Sequence, residues 1–397
     1  MIGSGFWSWI SASARLVFRH LSPRCRWSPR GIRSCGPSGA KSQIRPVQKR
    51  GSHPMNPRLL QLARESRGLS QSKLAGLAGI SQAALSKAEN GVGTLTPERV
   101  QAVAEALGYP RELLDWPDEP VGLGPSGFYH RKQSGLGKTA LQRIEAEVNL
   151  LLMQLRRLEA SVDIEPIYRL PVLDADEHTP ERAAAKIRAS WHLPDGPVHD
   201  AIRTVERAGI VVVRRNLESP KISGLSVRPP NSLPLIILNE GMPPARERFT
   251  VFHELGHLVM HQLPSDNGER EADVFASELL MPGPLIGPHL SGLTLQRAIQ
   301  LKQHWKASMA AVIQAAKRLD RIDESRYKSL QVQLSQHGYR RNEPAEPDRE
   351  EPSILTSILE THRSDHGYSD KELATVVGLQ LREFRSEYGG TLSLHAV

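Results

Sequence analysis

The chain has 397 residues, 39% hydrophobic and 24% charged, the composition of a folded protein with room for two or three domains. No apolar run approaches the roughly 18 residues of a membrane span, which excludes an integral membrane protein and leaves a cytoplasmic one as the expectation. The 51 basic residues outnumber the 43 acidic ones, but the excess is local.

Residues 1–54 carry Arg15, Arg19, Arg24, Arg26, Arg30, Arg33, Lys41, Arg45, Lys49 and Arg50 and no Asp or Glu. Without them the chain is slightly acidic, so its global charge is no argument for nucleic-acid binding. Cys25 and Cys35 also lie here, so neither disulfides nor thiolate ligands hold the remainder together. An Arg- and Ser-rich, acid-free segment reads as a transit peptide, a phosphate-binding arm, or sequence upstream of a true start at Met55. The third reading is preferred because a well-formed domain begins at Met55; if made, the extension is expected to be disordered.

Residues 55–116 read as four short helices with sharp stops. "NPRLLQLARESRG" ends in Gly68, "SQSKLAGLAG" runs from a Ser70 cap to Gly79, and "SQAALSKAENG" from a Ser81 cap to Gly91. "TPERVQAVAEALG" has Thr96 at the cap, Pro97 at the first helical position and Gly108 beyond the end. Residues 117–165 read as a Pro/Gly-rich linker and a long helix, Thr139–Val162, striped with leucine. Over 166–339 an α+β domain is expected, with strands "IVVVRR", "ISGLSV" and "PLIILN" ahead of further helices. Residues 340–352 read as a polar linker and 353–397 as a helical tail. In that tail "YSDKELATVVGLQLREF" loosely suggests another helix pair, with Ser369 at a cap and Gly378 at a turn, suited to packing or dimerisation.

In the second and third helices the spacing Gln71, Ala75, Gly79 lets two helices cross closely. Gly79 can take the positive φ of a tight turn, and Ile80 plugs the core beneath it. With Leu85 inward, Ala83, Ser86, Lys87 and Asn90 face outward, and Gln82 lies at the helix start. Such a small, polar, basic face suits a major groove, although the same pattern also fits a solvated interaction domain. The stretch "LARESRGLSQSKLAGLAGISQAALSKAENG" resembles the Xre/Cro family of repressor-like DNA-binding domains over about 60 residues. The resemblance implies an ion pair between Arg64 and Glu89 and DNA contacts from Gln71, Gln82, Ser86 and Lys87. With Ser81, Ala83 and Asn90 these form the expected DNA-facing set, and the resemblance implies binding to double-stranded DNA as a homodimer.

"RERFTVFHELGHLVMH" holds His-Glu-x-x-His in an apolar-periodic run. His253 and His257, four apart, can present ring nitrogens to one ion, with Glu254 about 100° round the helix within reach of a water. A third ligand is required. His261 lies roughly 12 Å along the helix from His253, too far to share an ion on a straight helix, and reads as solvated or as a partner of a ligand. Met260 and Leu263 stand where the extended pattern HExxHxxGxxH has Gly and His. Glu269 and Glu271, on the following helix, are two apart, so only one can face the site. Glu269 is preferred because Asp273, one turn on, would orient a histidine, and Glu271 is the alternative.

The paired blocks "RERFTVFHELGHLVMHQ" and "EREADVFASELLMP", preceded by "GIVVV", "ISGLS" and "PLIILNEGMPPAR", are similar to the ImmA/IrrE zinc metallopeptidases over about residues 166–320. That resemblance implies zinc on His253, His257 and Glu269, with Glu254 as general base, and a repressor-type protein as substrate. The expectation is an α+β multidomain chain: an all-α helix-turn-helix bundle, a zincin-like domain with a small sheet and HExxH helix, and a helical C-terminal region. Its expected function is that of a DNA-binding zinc endopeptidase in regulation. The alternative is a non-proteolytic Xre-type regulator whose zinc domain senses a ligand or supports the fold. A substrate strand would pair with an edge of the sheet near 210–239. Tyr168, His178, His192 and His199 read as structural or surface residues.

Overall fold

In the computed structural model of the chain, residues 32–34, 55–122 and 137–389 are described; of the basic 1–54 extension only the backbone of 32–34 is among them. The first four helices are α1 (Pro57–Ser66), α2 (Gln71–Leu77), α3 (Gln82–Glu89) and α4 (Pro97–Leu107). Side-chain oxygens of Asn56, Ser70 and Ser81 accept from backbone N–H groups that have no intrahelical partner at the starts of α1, α2 and α3. Gly79, at φ 65°, makes the tight α2–α3 turn. Leu59, Leu60, Leu74, Leu85 and Val103 close the bundle core without exposure.

Helix α5 (Lys138–Glu159) packs along α1. It stops short of the expected Val162, because the chain turns at Ala160 and Val162 enters a short strand. That strand, β2 (Val162–Ile164), pairs antiparallel with β1 (Ile32–Ser34). After α6 (Pro180–Ser190) and α7 (Ala201–Glu206) come β3 (Val211–Arg215), β4 (Gly224–Val227) and β5 (Leu235–Asn239). The sheet order is β3-β5-β4, with Val213 opposite Ile237 in the parallel pair and Leu225 opposite Ile237 in the antiparallel one.

Strand alternation divides the molecule's two cores. Val211, Val213, Leu225, Val227, Leu235 and Ile237 join the core shared by the N-terminal bundle, α5 and the C-terminal helices. Val212, Ile236 and Leu238 face the other way, into the core of α6 to α13. The helices of this second layer are α8 (Pro244–Met260), α9 (Gly268–Leu280), α10 (Gly283–Ile286), α11 (Leu295–Trp305), α12 (Met309–Arg318) and α13 (Glu324–Gln336). No helix among the described residues is long and apolar enough to cross a membrane.

Segment 340–352, polar in sequence, lies as a strap against this layer. The ammonium of Lys302, fully buried, donates to Glu343 at 2.8 Å and Glu346 at 2.5 Å. Glu346 also accepts from Ala245 N at the start of α8, and Glu350 from Ala201 N and Ile202 N at the start of α7. Its carboxylates therefore neutralise a buried cation and satisfy open helix ends, which explains a polar sequence in a fixed position.

The tail forms α14 (Ile354–Ser364), α15 (Asp370–Val376) and α16 (Leu381–Tyr388). Ser369 and Glu372 make a reciprocal capping box at α15. The three helices wedge between the bundle and the sheet. Arg67 pairs with Glu383 through two bonds of 2.7 and 2.9 Å, and the Tyr388 hydroxyl donates to Gln154.

Candidate metal centre and DNA-facing surface

Helix α8 carries His253 and His257 four residues apart on one face, and His261 follows in extended conformation just past its C-terminal end. Helix α9 crosses α8 at Gly256. A Cβ there would stand 3.1 Å from the Phe275 ring and 3.3 Å from Ala272 Cα, so the bare backbone is what lets α9 come close. That close crossing carries Glu269, in the first turn of α9, to the histidine pair.

The Nε2 atoms of His253 and His257 are 3.1 Å apart. Glu269 lies 3.2 Å from His257 Nε2 through Oε1 and 3.9 Å from His253 Nε2 through Oε2. One donor atom from each residue falls within 4.8 Å of the others. Ligands about 2 Å from a shared ion at tetrahedral angles stand roughly 3.3 Å apart, so two imidazoles and a carboxylate at these separations suit zinc.

The outward ring nitrogens are held by other side chains. His253 Nδ1 meets Asp273 Oδ1 at 2.9 Å, and His257 Nδ1 meets His261 Nδ1 at 2.9 Å. His261 Nε2 in turn meets Glu271 Oε2 at 3.0 Å. The two carboxylates weighed from sequence thus occupy different positions: Glu269 at the donor cluster, Glu271 behind it on His261. Burial depresses His253, but the Asp273 bond and the carboxylates of Glu254 and Glu269 outweigh it and hold the imidazole above its usual pKa. Burial, then His257 beside it, leaves His261 below the usual value.

Glu254 is buried on the sheet side of α8, where Ser226 donates to its Oε2 over 2.7 Å. Ser226 lies on β4, an edge strand, on the face opposite Leu225 and Val227. Gly224, two residues earlier on that face, makes room: a Cβ would stand 2.8 Å from Thr250 Cγ2 and 3.2 Å from Glu254 Cγ. Sequence reading missed Ser226, Gly224 and Gly256, since each acts through a neighbour distant in sequence. Tyr168, read as structural, stacks on Trp191 with centroids 5.3 Å apart.

On the N-terminal bundle, Ser81, Gln82, Ala83, Lys87 and Asn90 are exposed along α3, while Gln71 and Ser86 are half-buried. Arg64 donates to both oxygens of Glu89, at 2.6 and 2.9 Å, in the bundle interior. Burial opposes the Arg64 charge, but Glu89 outweighs it and raises the guanidinium above its ordinary value. Gln71 donates to Glu89 at 2.8 Å and accepts from Gln82 at 2.9 Å. Gln71 is therefore the link between the buried ion pair and the exposed Gln82.

Residues 60–114 match the model of the helix-turn-helix family, and residues 205–317 match that of the peptidase M78 family, the IrrE N-terminal-like domain. The chain thus joins a helix-turn-helix domain of the DNA-binding kind to a metallopeptidase-like domain. The second match runs from the end of α7 to α12 and contains the whole donor cluster. No curated protein matches the chain.

Proposed function

We propose that the chain is a DNA-binding, zinc-dependent endopeptidase that cleaves a regulatory protein of the repressor type. His253, His257 and Glu269 would hold the metal, whose Lewis acidity makes a water acidic enough to ionise near neutral pH and polarises a carbonyl. Glu254, oriented by the hydrogen bond from Ser226, takes the proton of the attacking water and returns it to the leaving amine. Asp273 and His261 keep the two ligand rings turned toward Glu269. Edge strand β4, which supplies Ser226, gives an extended substrate a backbone to pair with beside Glu254.

The observation that carries this reading is the buried, oriented Glu254 beside a three-donor set. A zinc site serving only as a scaffold takes four protein ligands and has no use for an oriented carboxylate next to them. Among the described residues the cluster offers three. Comparing new protein N-termini in host cells carrying the wild type with those carrying Glu254→Gln tests it. Termini present only with the wild type would identify the substrate; an identical set in both, under DNA damage and oxidative stress alike, would leave a non-proteolytic regulator.

A further inference from the structure

A cavity of about 950 Å³ opens beside the metal centre. Asp273, which holds His253, stands in its wall with Phe249, one turn before His253 on α8. The charged groups of the wall are mostly basic, Arg246, Arg270, Lys317, Arg318, Arg340 and Arg341 against three carboxylates, among neutral residues. Its three carboxylates have partners elsewhere: Asp273 on His253, and Glu343 and Glu346 on buried Lys302.

The cations are less well matched. Lys317 pairs with Glu324, and Arg318 with Glu278. Arg246 and Arg340 donate to the neutral side chains of Ser223 and Gln331, and among the described residues no carboxylate pairs with either. The Nε of Arg318 is buried without a hydrogen-bond partner among the described residues. A concave wall with surplus guanidinium groups concentrates positive potential and suits carboxylates, which Arg binds in a two-pronged fashion. A phosphate cradle is lacking, because Glu343 already takes the Met309 amide at the start of α12.

We infer that this cavity receives acidic side chains of the peptide substrate, so that cleavage falls beside a segment rich in Asp and Glu. The inference rests on the peptidase reading for its position along the substrate. A volume of this size accommodates several residues of an extended chain, and Tyr327 and Tyr339 offer flat apolar surface between the charges.

The test uses full-length, zinc-loaded Glu254→Gln protein and fluorescein-labelled decapeptide pools that differ only in three central positions, acidic, neutral or basic. Fluorescence anisotropy should show the acidic pool binding about tenfold more tightly than the neutral one. Arg340→Glu with Arg341→Glu should remove that preference while the bound zinc stays the same. Equal binding of the acidic and neutral pools, or a preference that survives the charge reversal, overturns the inference. So does ADP binding in place of the acidic pool, which would make the cavity a nucleotide site. Incubating the same pools with wild-type protein tests the peptidase reading separately. Acid-selective binding without cleavage would sink that reading and leave the acidic-peptide site standing; cleavage without acid selectivity would do the reverse.

Discussion

Ser226 on edge strand β4 and Glu254 on helix α8 are joined by a 2.7 Å hydrogen bond inside the protein, 28 residues apart in sequence. A hydrogen bond to a charged group is worth about 1.5–3 kcal/mol, so Ser226→Ala should lower kcat/KM on a cleavable peptide by about tenfold or more. Zinc content, measured by atomic absorption, should be unchanged. A parallel loss of metal would show that Ser226 supports the fold of the site instead of the base.

The separate positions of Glu269 and Glu271 predict separate phenotypes. Glu269→Gln should release zinc during dialysis. Glu271→Gln, acting through His261 on a ligand ring, should retain it with an affinity lowered by about 10- to 100-fold. Titration with a competing chelator distinguishes the two, and the reverse order would exchange their roles.

In the N-terminal bundle, Glu89→Gln would strip buried Arg64 of the carboxylate that holds it through two bonds, leaving, among the described residues, only the Glu65 carboxylate at 3.5 Å. Breaking one side of a buried pair costs about 3–5 kcal/mol. Amide exchange over residues 57–107 of the full chain should accelerate, and the hold of Gln71 on Gln82 should loosen with it. Unchanged exchange would mean that solvent replaces Glu89 at low cost.

His362 makes the docking of the C-terminal helices sensitive to acid. Its ring is buried, with Nε2 donating to Leu158 O over 2.9 Å and, among the described residues, no hydrogen-bond partner for Nδ1. Burial, assisted by His366 and opposed by the Leu158 bond, holds it below its ordinary value of 6.5. The unfolded chain therefore takes up the proton first as pH falls. The stability His362 contributes is complete above about pH 6.5 and declines below it, until the folded state also protonates. Proteolysis of residues 354–388 should accelerate as the pH drops from 7.5 to 5, and His362→Gln should flatten that dependence.

Gly378 provides a sterically defined test of the same docking. At φ 65°, a Cβ would stand 2.7 Å from the Trp116 ring and 2.9 Å from Leu113. Gly378→Val should displace α15 and α16 from the N-terminal bundle, detected as a shift in tryptophan emission. An unchanged spectrum and thermal melt would show that the bundle can yield at Trp116.

The local features of this protein were legible in its sequence. Ser caps, Gly stops and Pro97 at a first helical position act within a turn, so the starts of α2 to α4 and the glycine stops could be read directly, whereas the Asn56 cap of α1 emerged only in the structure. The His-x-x-x-His spacing likewise places His253 and His257 on one helix face by geometry alone. Long-range choices needed the tertiary structure. Which of Glu269 and Glu271 approaches the histidines depends on how α9 crosses Gly256, and Ser226 meets Glu254 because a sheet edge lies against α8. The strap at 340–352 and the tail read as a polar linker and loosely amphipathic helices, since what they neutralise, Lys302 and Arg67, lies 41 and 316 residues away. Periodicity records which side of an element is apolar; only packing decides what that side meets.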